Sequence, residues 1–227
     1  MTIAIHQPNF FPWAGYFRKI KESDIFVFLD TVDITLGSSK SITHRTKIKT
    51  PNGENYLTVP LRKRESKLIK DILIDNAQPW KKKMLTNIQH NYSKANCYEE
   101  TMNWFEPFLN QEHEFLSAMN ISLLKKICAL LKIKTDLKTA SELKIEHDDR
   151  NLRLIEICKS LGGTIYLSGK GGAGYNAENI FAENKIDIRY IQYPEFNYPQ
   201  LHGDFLAGLS LLDMLFNIGI DSQKFYN

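Results

Sequence analysis

The sequence has 227 residues, 43% of them hydrophobic and 24% charged, which is the composition of an ordinary soluble globular protein with one substantial core. It holds no apolar run near the roughly 20 residues of a membrane span and no signal-peptide pattern at its amino terminus, so we expect no membrane span. Its three cysteines are widely spaced and include no CxxC pair, which argues against a disulfide framework or a zinc site and favours a cytoplasmic location.

The net charge of +3 is unevenly distributed along the chain. Residues 40–83 carry 12 Lys and Arg against 4 Asp and Glu, or +8, which leaves 17 basic against 22 acidic residues, or −5, elsewhere. A basic segment beside an acidic remainder suggests a partner that carries phosphate, although solvated surface lysines explain the basic runs equally well. The overall charge is too small to favour nucleic acid as that partner.

The first 30 residues predict a strand, a helix and a second strand. The apolar runs at residues 3–5 and 25–29 have the continuous hydrophobicity of strands that are buried on both faces of a parallel sheet. Residues 14–22 have room for about two helical turns, which is the usual crossover between parallel strands. Two prolines exclude helix from residues 7–13, so this segment is predicted to be a loop, ending in a tryptophan, Trp13, that we expect to be buried.

The middle of the chain predicts a hairpin followed by helices. THRTKIKT (residues 43–50) and ENYLTVPL (54–61) flank an Asn-Gly turn, so we expect them to pair as a hairpin. LIKDILI (68–74) predicts one more strand. Beyond it, apolar residues recur at helical spacing, and we predict that residues 78–145 form a helical insert or subdomain.

Helix and strand patterns alternate again in the last third of the chain. The predicted elements are a helix at DDRNLRLIEICKSLG (148–162), a strand at TIYLSG (164–169), a helix at AENIFAENK (177–185), a strand at IDIRYIQY (186–193) and a closing helix at DFLAGLSLLDMLFNIG (204–219). We therefore predict an α/β fold with a mostly parallel sheet and flanking helices. Residues 1–77 and 146–227 would form its core and hold a site for a nucleotide or sugar phosphate.

Three polar segments are expected at one edge of this sheet, because ligands of open parallel sheets bind beyond the carboxyl ends of the strands. They are the loop that begins with His6 and Gln7, the aspartate Asp30 after the second strand, and the glycine-rich stretch at residues 166–175. Asp30 and Asp33 could hold a Mg²⁺ ion together with nucleotide phosphates, since Mg²⁺ needs few protein ligands. Asp30 could equally cap the end of its strand, and no dedicated metal site is predicted.

The glycine-rich stretch contains a single lysine, Lys170, inside a run of glycines. Backbone N–H groups of such a run can surround an anion, to which the lysine would add a positive charge. A simple turn that needs positive φ angles is the alternative explanation. Tyr175, at the end of the stretch, is a candidate substrate contact. The candidate phosphate-binding residues of this segment are Ser168, Gly169, Gly171 and Gly172.

The first strand, loop and helix resemble the nucleotidyltransferase-like fold. In that superfamily a histidine at the end of the first strand and a Gly-His pair at the helix start contact the nucleotide phosphates, and a later basic loop clamps the same group. His6 and Gly15 match this pattern, and Lys170 would be the clamp. Tyr16 stands where the second histidine would be, and a phenol cannot carry a positive charge. The structural alternative for His6 is a core histidine with its hydrogen bonds satisfied.

Nearly the whole chain resembles the WbqC-like protein family. The resemblance rests on the order and spacing of HQPNFFPWAGYFRKI, DIFVFLDTVD, HRTKIK, YLTVPL, YLSGKGGAGY and SLLDMLFNIG. Thr46, where the family favours asparagine, is a local difference. Members of that family occur among genes for bacterial surface polysaccharides, including the O-antigen of lipopolysaccharide. The resemblance therefore implies a role in making or decorating a sugar.

Several other polar residues are candidates for binding the substrate. Arg45 and Lys47 would point to the same side of a strand, where two cations suit a phosphate, although a charged edge strand is equally consistent. His202 precedes the closing helix and is a candidate acid or base. Asp213 and Asn217 share one face of that helix, and we expect a structural role because a buried carboxylate must be paired.

Together these features predict a transferase or ligase that activates a small carboxylate with ATP and passes an acyl or aminoacyl group, such as glycine, to an amino group of a nucleotide-linked sugar. His6, Lys170 and Gln7 would be catalytic, with His6 and Lys170 at the α-phosphate. The expected nucleotide contacts are Asn9, Gly15, Tyr16 and the glycine-rich segment. The expected substrate contacts are Trp13, Asp30, Arg45, Lys47, Tyr175 and His202.

ATP and Mg²⁺ would enter as co-substrates, and no tightly bound cofactor is expected. Two alternatives remain open at this point. One is a transferase that acts on nucleotide-sugars without ATP, and the other is a non-catalytic binding protein of the polysaccharide assembly machinery. The sequence is compatible with a homodimer but does not fix the oligomeric state.

Overall fold

The computed structural model describes residues 1–37, 41–63, 66–174 and 176–226, with Lys170 described by its backbone alone. The strands of these residues are β1 (Thr2–His6), β2 (Ile25–Phe28), β3 (Arg45–Thr50), β4 (Gly53–Thr58), β5 (Asp136–Thr139), β6 (Ile165–Ser168) and β7 (Asp187–Tyr190). The α-helices are α1 (Ala14–Lys21), α2 (Trp80–Tyr92), α3 (Tyr98–Asn110), α4 (Leu116–Leu130), α5 (Ala140–Leu143), α6 (Arg150–Ser160), α7 (Glu178–Glu183) and α8 (Leu211–Ile218).

Five strands form one sheet in the order β5-β2-β1-β6-β7, and every neighbouring pair in it is parallel. The predicted α/β fold with a parallel sheet and flanking helices is therefore confirmed. The chain builds outward from β1 through β2 to β5 and then returns to place β6 on the other side of β1. This reversal makes the ends of β1 and β6 a topological switch point, where open α/β sheets form their ligand crevice.

Both faces of the sheet are covered, as the continuous apolar strands predict. Successive side chains of a strand point to opposite faces, so Ala4 joins the larger hydrophobic cluster while Ile3 and Ile5 join the smaller one. The larger cluster also contains the apolar residues of α1 to α4 and of α8. The smaller cluster contains those of α6 and α7. The helices between residues 80 and 130 thus share one core with a face of the sheet.

The predicted hairpin is present, because β3 and β4 pair antiparallel from Arg45 opposite Thr58 to Thr50 opposite Gly53. Gly53 has a φ of +101°, a backbone conformation that glycine adopts without the steric cost of a side chain. The hairpin forms a separate two-stranded sheet beside the five-stranded one.

The strand predicted at residues 68–74 is wrong. Ile69–Asp71 forms a 3₁₀ turn, and the residues around it pair only through isolated bridges. Ile72 accepts a backbone hydrogen bond from Leu116 at the start of α4 instead of joining a sheet. The apolar side chains of Ile69, Ile72 and Ile74 are buried in the larger cluster. The segment thus has the composition of a strand but no partner strand among the described residues.

Two further boundaries differ from the predictions. The closing helix is shorter than residues 204–219 because the chain turns at Gly208, which has a φ of +75°, and α8 begins only after Ser210. β5 lies within the range predicted for the helical insert, yet it pairs with β2 at the edge of the parallel sheet.

Among the described residues, no helix is both long enough and apolar enough to span a bilayer.

Candidate functional site

The ends of β1 and β6 diverge at the switch point. Their pairing extends to Ala4 and Leu167, whereas β1 continues to pair with β2 through His6 and β6 continues to pair with β7 through Ser168. The loop that begins with Gln7 and the glycine-rich segment therefore leave neighbouring strands at the same edge of the sheet. This edge is where the sequence predicts that the two segments meet.

His6 is half-buried at the end of β1. Its Nδ1 atom lies 3.1 Å from the carbonyl oxygen of Gln7, and its ring meets the ring of Tyr16 edge to face at a centroid distance of 5.0 Å. Burial lowers the pKa of His6 to about 4; the positive charge of Lys19 acts in the same direction, and the hydrogen bond to Gln7 opposes it. The imidazole is thus neutral at pH 7 and can donate one hydrogen bond, but it supplies no fixed positive charge.

Lys19 is a site residue that the sequence analysis missed. Its side chain is only 3% exposed, and its Nζ donates a hydrogen bond of 2.9 Å to the carbonyl oxygen of Ile5. The next carbonyl, that of His6, accepts a hydrogen bond from Leu29 on the β2 side. Carbonyls alternate in direction along a strand, so the Ile5 carbonyl faces β6, where the pairing of β1 has ended.

The ammonium group of Lys19 therefore lies in the gap between the diverging strands, 5.9 Å from the ring centroid of Tyr166 in β6. None of the ion pairs between described side chains involves Lys19. Burial lowers the pKa of Lys19 to about 7, and the thiol of Cys158 opposes this shift. The group is consequently a mixture of ammonium and amine at neutral pH, and a nearby anion would favour the ammonium form.

The loop after His6 is held by buried hydrogen bonds. The hydroxyl of Tyr16 donates to the Gln7 carbonyl at 2.9 Å, and burial raises the pKa of Tyr16 well above its usual value. Asn9 is buried, and its Oδ1 accepts a hydrogen bond of 3.3 Å from Thr43. Asn120 donates to the Pro8 carbonyl at 2.8 Å. Asn9 and Tyr16 thus shape the loop, and Thr43 and Asn120, which the sequence analysis did not single out, hold it in place.

Trp13 is not buried, contrary to expectation, but is 36% exposed. It stands at the entrance to α1, where its ring meets those of Tyr193 and Phe196 at centroid distances of 4.8 Å and 5.9 Å. The indole also lies over Gly15, where a Cβ atom would come within 2.3 Å of the ring. Gly15 was predicted to contact phosphate. In the structure, its lack of a side chain allows the close approach of Trp13.

The glycine-rich segment is ordered by its own backbone. Lys170–Gly172 forms a 3₁₀ turn in which the Gly172 amide donates to the Gly169 carbonyl at 2.8 Å. No glycine between residues 169 and 174 has a positive φ, so the explanation of a turn that needs positive φ angles is wrong. The side chain of Lys170 and the whole of Tyr175 lie outside the described residues.

Gly172 is required by close packing. A Cβ atom there would lie 2.3 Å from the Ser168 hydroxyl oxygen and 3.1 Å from the amide nitrogen of Asn176. That nitrogen donates a hydrogen bond of 3.0 Å to Ser168, whereas the Oδ1 atom of Asn176 is buried without a hydrogen-bond partner among the described residues. By contrast, a Cβ atom on Gly171 would meet nothing within 4 Å. One glycine thus packs against the strand end while the other faces open space.

Tyr193 connects the glycine-rich segment to Trp13. Its hydroxyl oxygen lies 3.4 Å from the position that a Cβ atom would take on Gly169, and its ring contacts Trp13. Burial raises the pKa of Tyr193 to about 12, with the charge of Glu22 acting in the same direction. The phenol is thus neutral at the site and available as a hydrogen-bond donor.

Asp30 and Asp33 do not face the β1–β6 gap. Both carboxylate oxygens of Asp30 accept hydrogen bonds from Ser141, from its amide at 3.0 Å and its hydroxyl at 2.7 Å, so Asp30 holds the start of α5. Asp33 pairs through its backbone with Leu68. In the described parts of the chain, no three His, Cys, Asp or Glu side chains are grouped in a way that could hold a metal ion.

Arg45 and Lys47 point to the same side of β3, as the strand spacing predicts. The guanidinium carbon of Arg45 lies 4.3 Å from the ring centroid of Tyr56, and Lys47 forms an ion pair of 2.7 Å with Glu54. The hydrogen bond from this pair raises the pKa of Lys47. Both cations therefore contact side chains of β4. His202 packs against α2, and its Nε2 atom is 2.8 Å from the carbonyl oxygen of Asn91 in that helix.

Asp213 is fully buried at the centre of a polar network. Its carboxylate accepts hydrogen bonds from the hydroxyls of Tyr92 at 2.6 Å and Tyr198 at 2.8 Å, and the Asn217 amide donates to its backbone carbonyl at 2.8 Å. Burial raises the pKa of Asp213, while the hydrogen bonds from the two tyrosines oppose that shift. These contacts tie α8 to α2 and to the segment after β7, in keeping with the structural role that we expect.

Several cavities open among the described residues, among them a larger and a smaller one that each have a tryptophan in the wall. The larger, of about 1010 Å³, is lined by residues of α2 and α3 together with Arg62 and residues 112–114. The smaller, of about 370 Å³, lies between Trp13, Phe196 and the segment that leads into α8. The smaller cavity thus includes Trp13, whose ring contacts Tyr193 beside Gly169.

Comparison with known proteins places the chain in a family. The model described as the WbqC-like protein family matches residues 7–225, which begin immediately after His6. The chain is also 33% identical over 227 residues to "Uncharacterized protein Rv1507c" of Mycobacterium tuberculosis (strain ATCC 25618 / H37Rv), covering 98% of this chain and 96% of that protein. No solved structure matches the chain significantly. The chain belongs to the WbqC-like protein family.

Proposed function

We propose that this protein is a cytoplasmic enzyme of bacterial surface-polysaccharide (O-antigen) biosynthesis. It uses ATP to activate a small carboxylate and transfers the acyl or aminoacyl group to an amino group of a nucleotide-linked sugar. Membership of the WbqC-like family supports the polysaccharide setting. The observation that supports the proposal is the switch-point gap, in which Lys19 hydrogen-bonds the end of β1, while the loop after His6 and the glycine-rich turn leave the neighbouring strands β1 and β6.

In the first step a carboxylate oxygen of the acyl donor attacks the α-phosphorus of ATP, and the bond to the leaving pyrophosphate breaks. The protein contributes positioning and charge at the phosphate. Lys19 supplies the buried positive charge. The negative charge of a bound phosphate favours the protonated form of His6, whose Nε2–H then donates to a phosphate oxygen while Nδ1–H keeps its bond to the Gln7 carbonyl. Lys170, in the turn that follows β6, supplies a second positive charge.

In the second step the amino group of the sugar attacks the acyl carbonyl, the bond to AMP breaks, and one proton passes from the nitrogen to water. Gln7 orients the acyl group. Its side chain makes one long contact, 3.5 Å from the Thr43 hydroxyl to its Oε1, so its amide N–H groups can turn toward a substrate. Trp13, which is 36% exposed, contacts a nucleotide substrate.

The direct test incubates the protein with ATP, Mg²⁺, a panel of small carboxylic and amino acids, and nucleotide-linked amino sugars. We expect AMP and pyrophosphate to form in step with an acylated sugar detected by mass spectrometry. His6→Ala and Lys170→Ala should each lower turnover at least 100-fold while keeping the wild-type melting temperature. Lys125→Ala, which removes an exposed lysine from α4, is the matched control and should keep full activity.

Three outcomes would contradict the proposal. Sugar modification without ATP consumption would make the protein an ATP-independent transferase. Binding of a nucleotide-sugar without modification would make it a binding protein of the assembly machinery. A lower melting temperature in both His6→Ala and Lys170→Ala would assign these residues to the fold instead of the site.

A further inference from the structure

The cavity beside Trp13 has the properties of a small-molecule site. Its volume of about 370 Å³ lies in the range of roughly 300–1,000 Å³ that such sites occupy. Aromatic side chains form much of its wall, namely Trp13, Phe196, Tyr198 and Phe205. Phe205 lines the cavity and is 45% exposed, which is a large exposed fraction for a phenylalanine. The aromatic surface is thus accessible to a small molecule.

One residue of the cavity wall has a buried hydroxyl group without a partner among the described residues. Ser210 is 2% exposed and lines the cavity, and its Oγ has no hydrogen-bond partner among the described residues. It precedes α8 as the N-cap residue but makes no side-chain cap hydrogen bond. Leaving a buried hydroxyl unpaired is costly, so a ligand that hydrogen-bonds Ser210 would restore the lost interaction.

The charge of the lining selects against a phosphate. Of the described residues that line the cavity, Glu195 is the sole charged one, and it is negative. A phosphate or carboxylate group would therefore be repelled, while a neutral planar group with hydrogen-bonding edges would be accepted. An aliphatic acyl chain would fill the apolar space but leave Ser210 unpaired. A heteroaromatic ring can satisfy both the aromatic wall and the hydroxyl.

We propose that this cavity is the binding site for the nucleobase of a nucleotide substrate, with the ring against the aromatic wall that includes Phe205 and its edge hydrogen-bonded to Ser210. The cavity lies near the phosphate site of the proposed function. The placement of the rest of the nucleotide rests on that proposed function. Trp13 contacts Tyr193, whose hydroxyl lies against Gly169 at the start of the glycine-rich segment. A nucleotide would thus place its base on one side of the Trp13–Tyr193 pair and its phosphates on the other.

Nucleosides without phosphate test the cavity separately from the catalytic chemistry. The chain has three tryptophans, so ¹⁵N labelling of tryptophan gives three indole N–H signals, and Trp13→Phe identifies the signal of Trp13 by its loss. We expect titration with uridine, thymidine, adenosine or guanosine to shift the Trp13 signal. Trp104 should stay unchanged, and so should Trp80, which lines the larger cavity. Hexanoate, an aliphatic acid, should leave all three signals unchanged.

Variants of the wall then measure the contributions to affinity by calorimetry. Phe205→Ala should weaken binding of the preferred nucleoside at least tenfold because it removes a stacking surface. Ser210→Ala should weaken binding about three- to tenfold through the lost hydrogen bond. Ile220→Ala is the matched control, since Ile220 is equally exposed at 45% and does not line the cavity, and it should bind as the wild type does.

The possible results separate this inference from the proposed function. Nucleotide binding that is lost in His6→Ala but unaffected in Phe205→Ala and Ser210→Ala would overturn the base site and leave the proposed function intact. A shift of Trp80 alone would overturn it by moving the base to the larger cavity, and a shift of Trp13 by hexanoate alone would do so by making the site one for acyl chains. Nucleoside binding at Trp13 without any ATP-dependent transfer would support the base site and overturn the proposed function.

Discussion

Replacing Asp213 by alanine should destabilise the protein strongly. The carboxylate is fully buried and accepts hydrogen bonds from Tyr92 and Tyr198. Removal leaves the buried hydroxyl of Tyr92 and the half-buried hydroxyl of Tyr198 without their acceptor, at about 1–3 kcal/mol each. The lost desolvation cost of the carboxylate, which is what raises its pKa, offsets part of this penalty. We expect a net loss of about 2–5 kcal/mol, a large part of the 5–15 kcal/mol that stabilises a typical domain.

The assay is urea denaturation at pH 7, followed by circular dichroism, on the wild type and three variants. Asp213→Asn keeps the shape and one acceptor oxygen, so it should lose less free energy of unfolding than Asp213→Ala. Asp221→Ala removes an exposed carboxylate just beyond α8 and should stay within about 0.5 kcal/mol of the wild type. An Asp213→Ala protein as stable as Asp221→Ala would refute the reasoning. If that stable variant were also inactive, Asp213 would be a site residue.

Three further predictions concern the switch point. Gly172→Ala should lower the free energy of unfolding by about 1–3 kcal/mol, because the new Cβ atom would lie 2.3 Å from the Ser168 hydroxyl oxygen. Gly171→Ala should stay within about 0.5 kcal/mol of the wild type, because its Cβ atom would meet nothing within 4 Å. Equal melting temperatures of the two variants would contradict this prediction. The pKa of Lys19 is lowered from 10.5 to about 7, so the unfolded chain binds more protons than the folded chain between pH 7 and pH 10.5. The free energy of unfolding should therefore rise with pH over this range, and Lys19→Met should abolish the rise. Identical pH profiles of melting temperature in the two proteins would contradict this prediction. The pKa of His6, lowered to about 4, predicts loss of stability as pH falls from 6.5 to 4, and an NMR titration of its ring near 6.5 would show the prediction to be wrong.

The central part of the sheet could be predicted because its signals are local. The apolar runs that form β1 and β2 are continuous, and two prolines separate β1 from α1, so short segments specify their own structure. β5 could not be found in this way. Its sequence, DLKT, has neither alternation nor an apolar run, and it is a strand because β2 offers an unpaired edge. The segment at residues 68–74 shows the converse, an apolar run that finds a helix instead of a sheet edge.

The candidate site was predictable to a similar extent. Strand ends are identifiable in a sequence, so His6 and Ser168 could be placed at the carboxyl edge of a parallel sheet. The environment of Trp13 was not predictable, because its aromatic contacts come from Tyr193 and Phe196, about 180 residues later in the chain. Which residues a loop touches depends on tertiary packing, and a single sequence carries no direct signal for it.

Lys19 was overlooked because it lies among other cations, with Arg18 before it and Lys21 after it. Such a cluster on a short helix normally indicates a solvated face. Helical spacing does contain a clue, since Lys19 follows Gly15 by four residues and Tyr16 by three, which places it on the face directed at the sheet. Long side chains can carry their charge out from such a face, so spacing alone does not distinguish a buried ammonium from an exposed one.

The position of Lys19 gives the switch point its chemical meaning. A buried ammonium that has no carboxylate partner among the described residues costs several kcal/mol, and its hydrogen bond to the Ile5 carbonyl satisfies one of three donors. A methionine would fill the same space without that cost, so packing does not account for a lysine here. An anion that entered the gap would supply the missing negative charge and accept the remaining hydrogen bonds. The stability lost in the free protein would then be regained on binding, and the more so for a phosphate than for a neutral ligand.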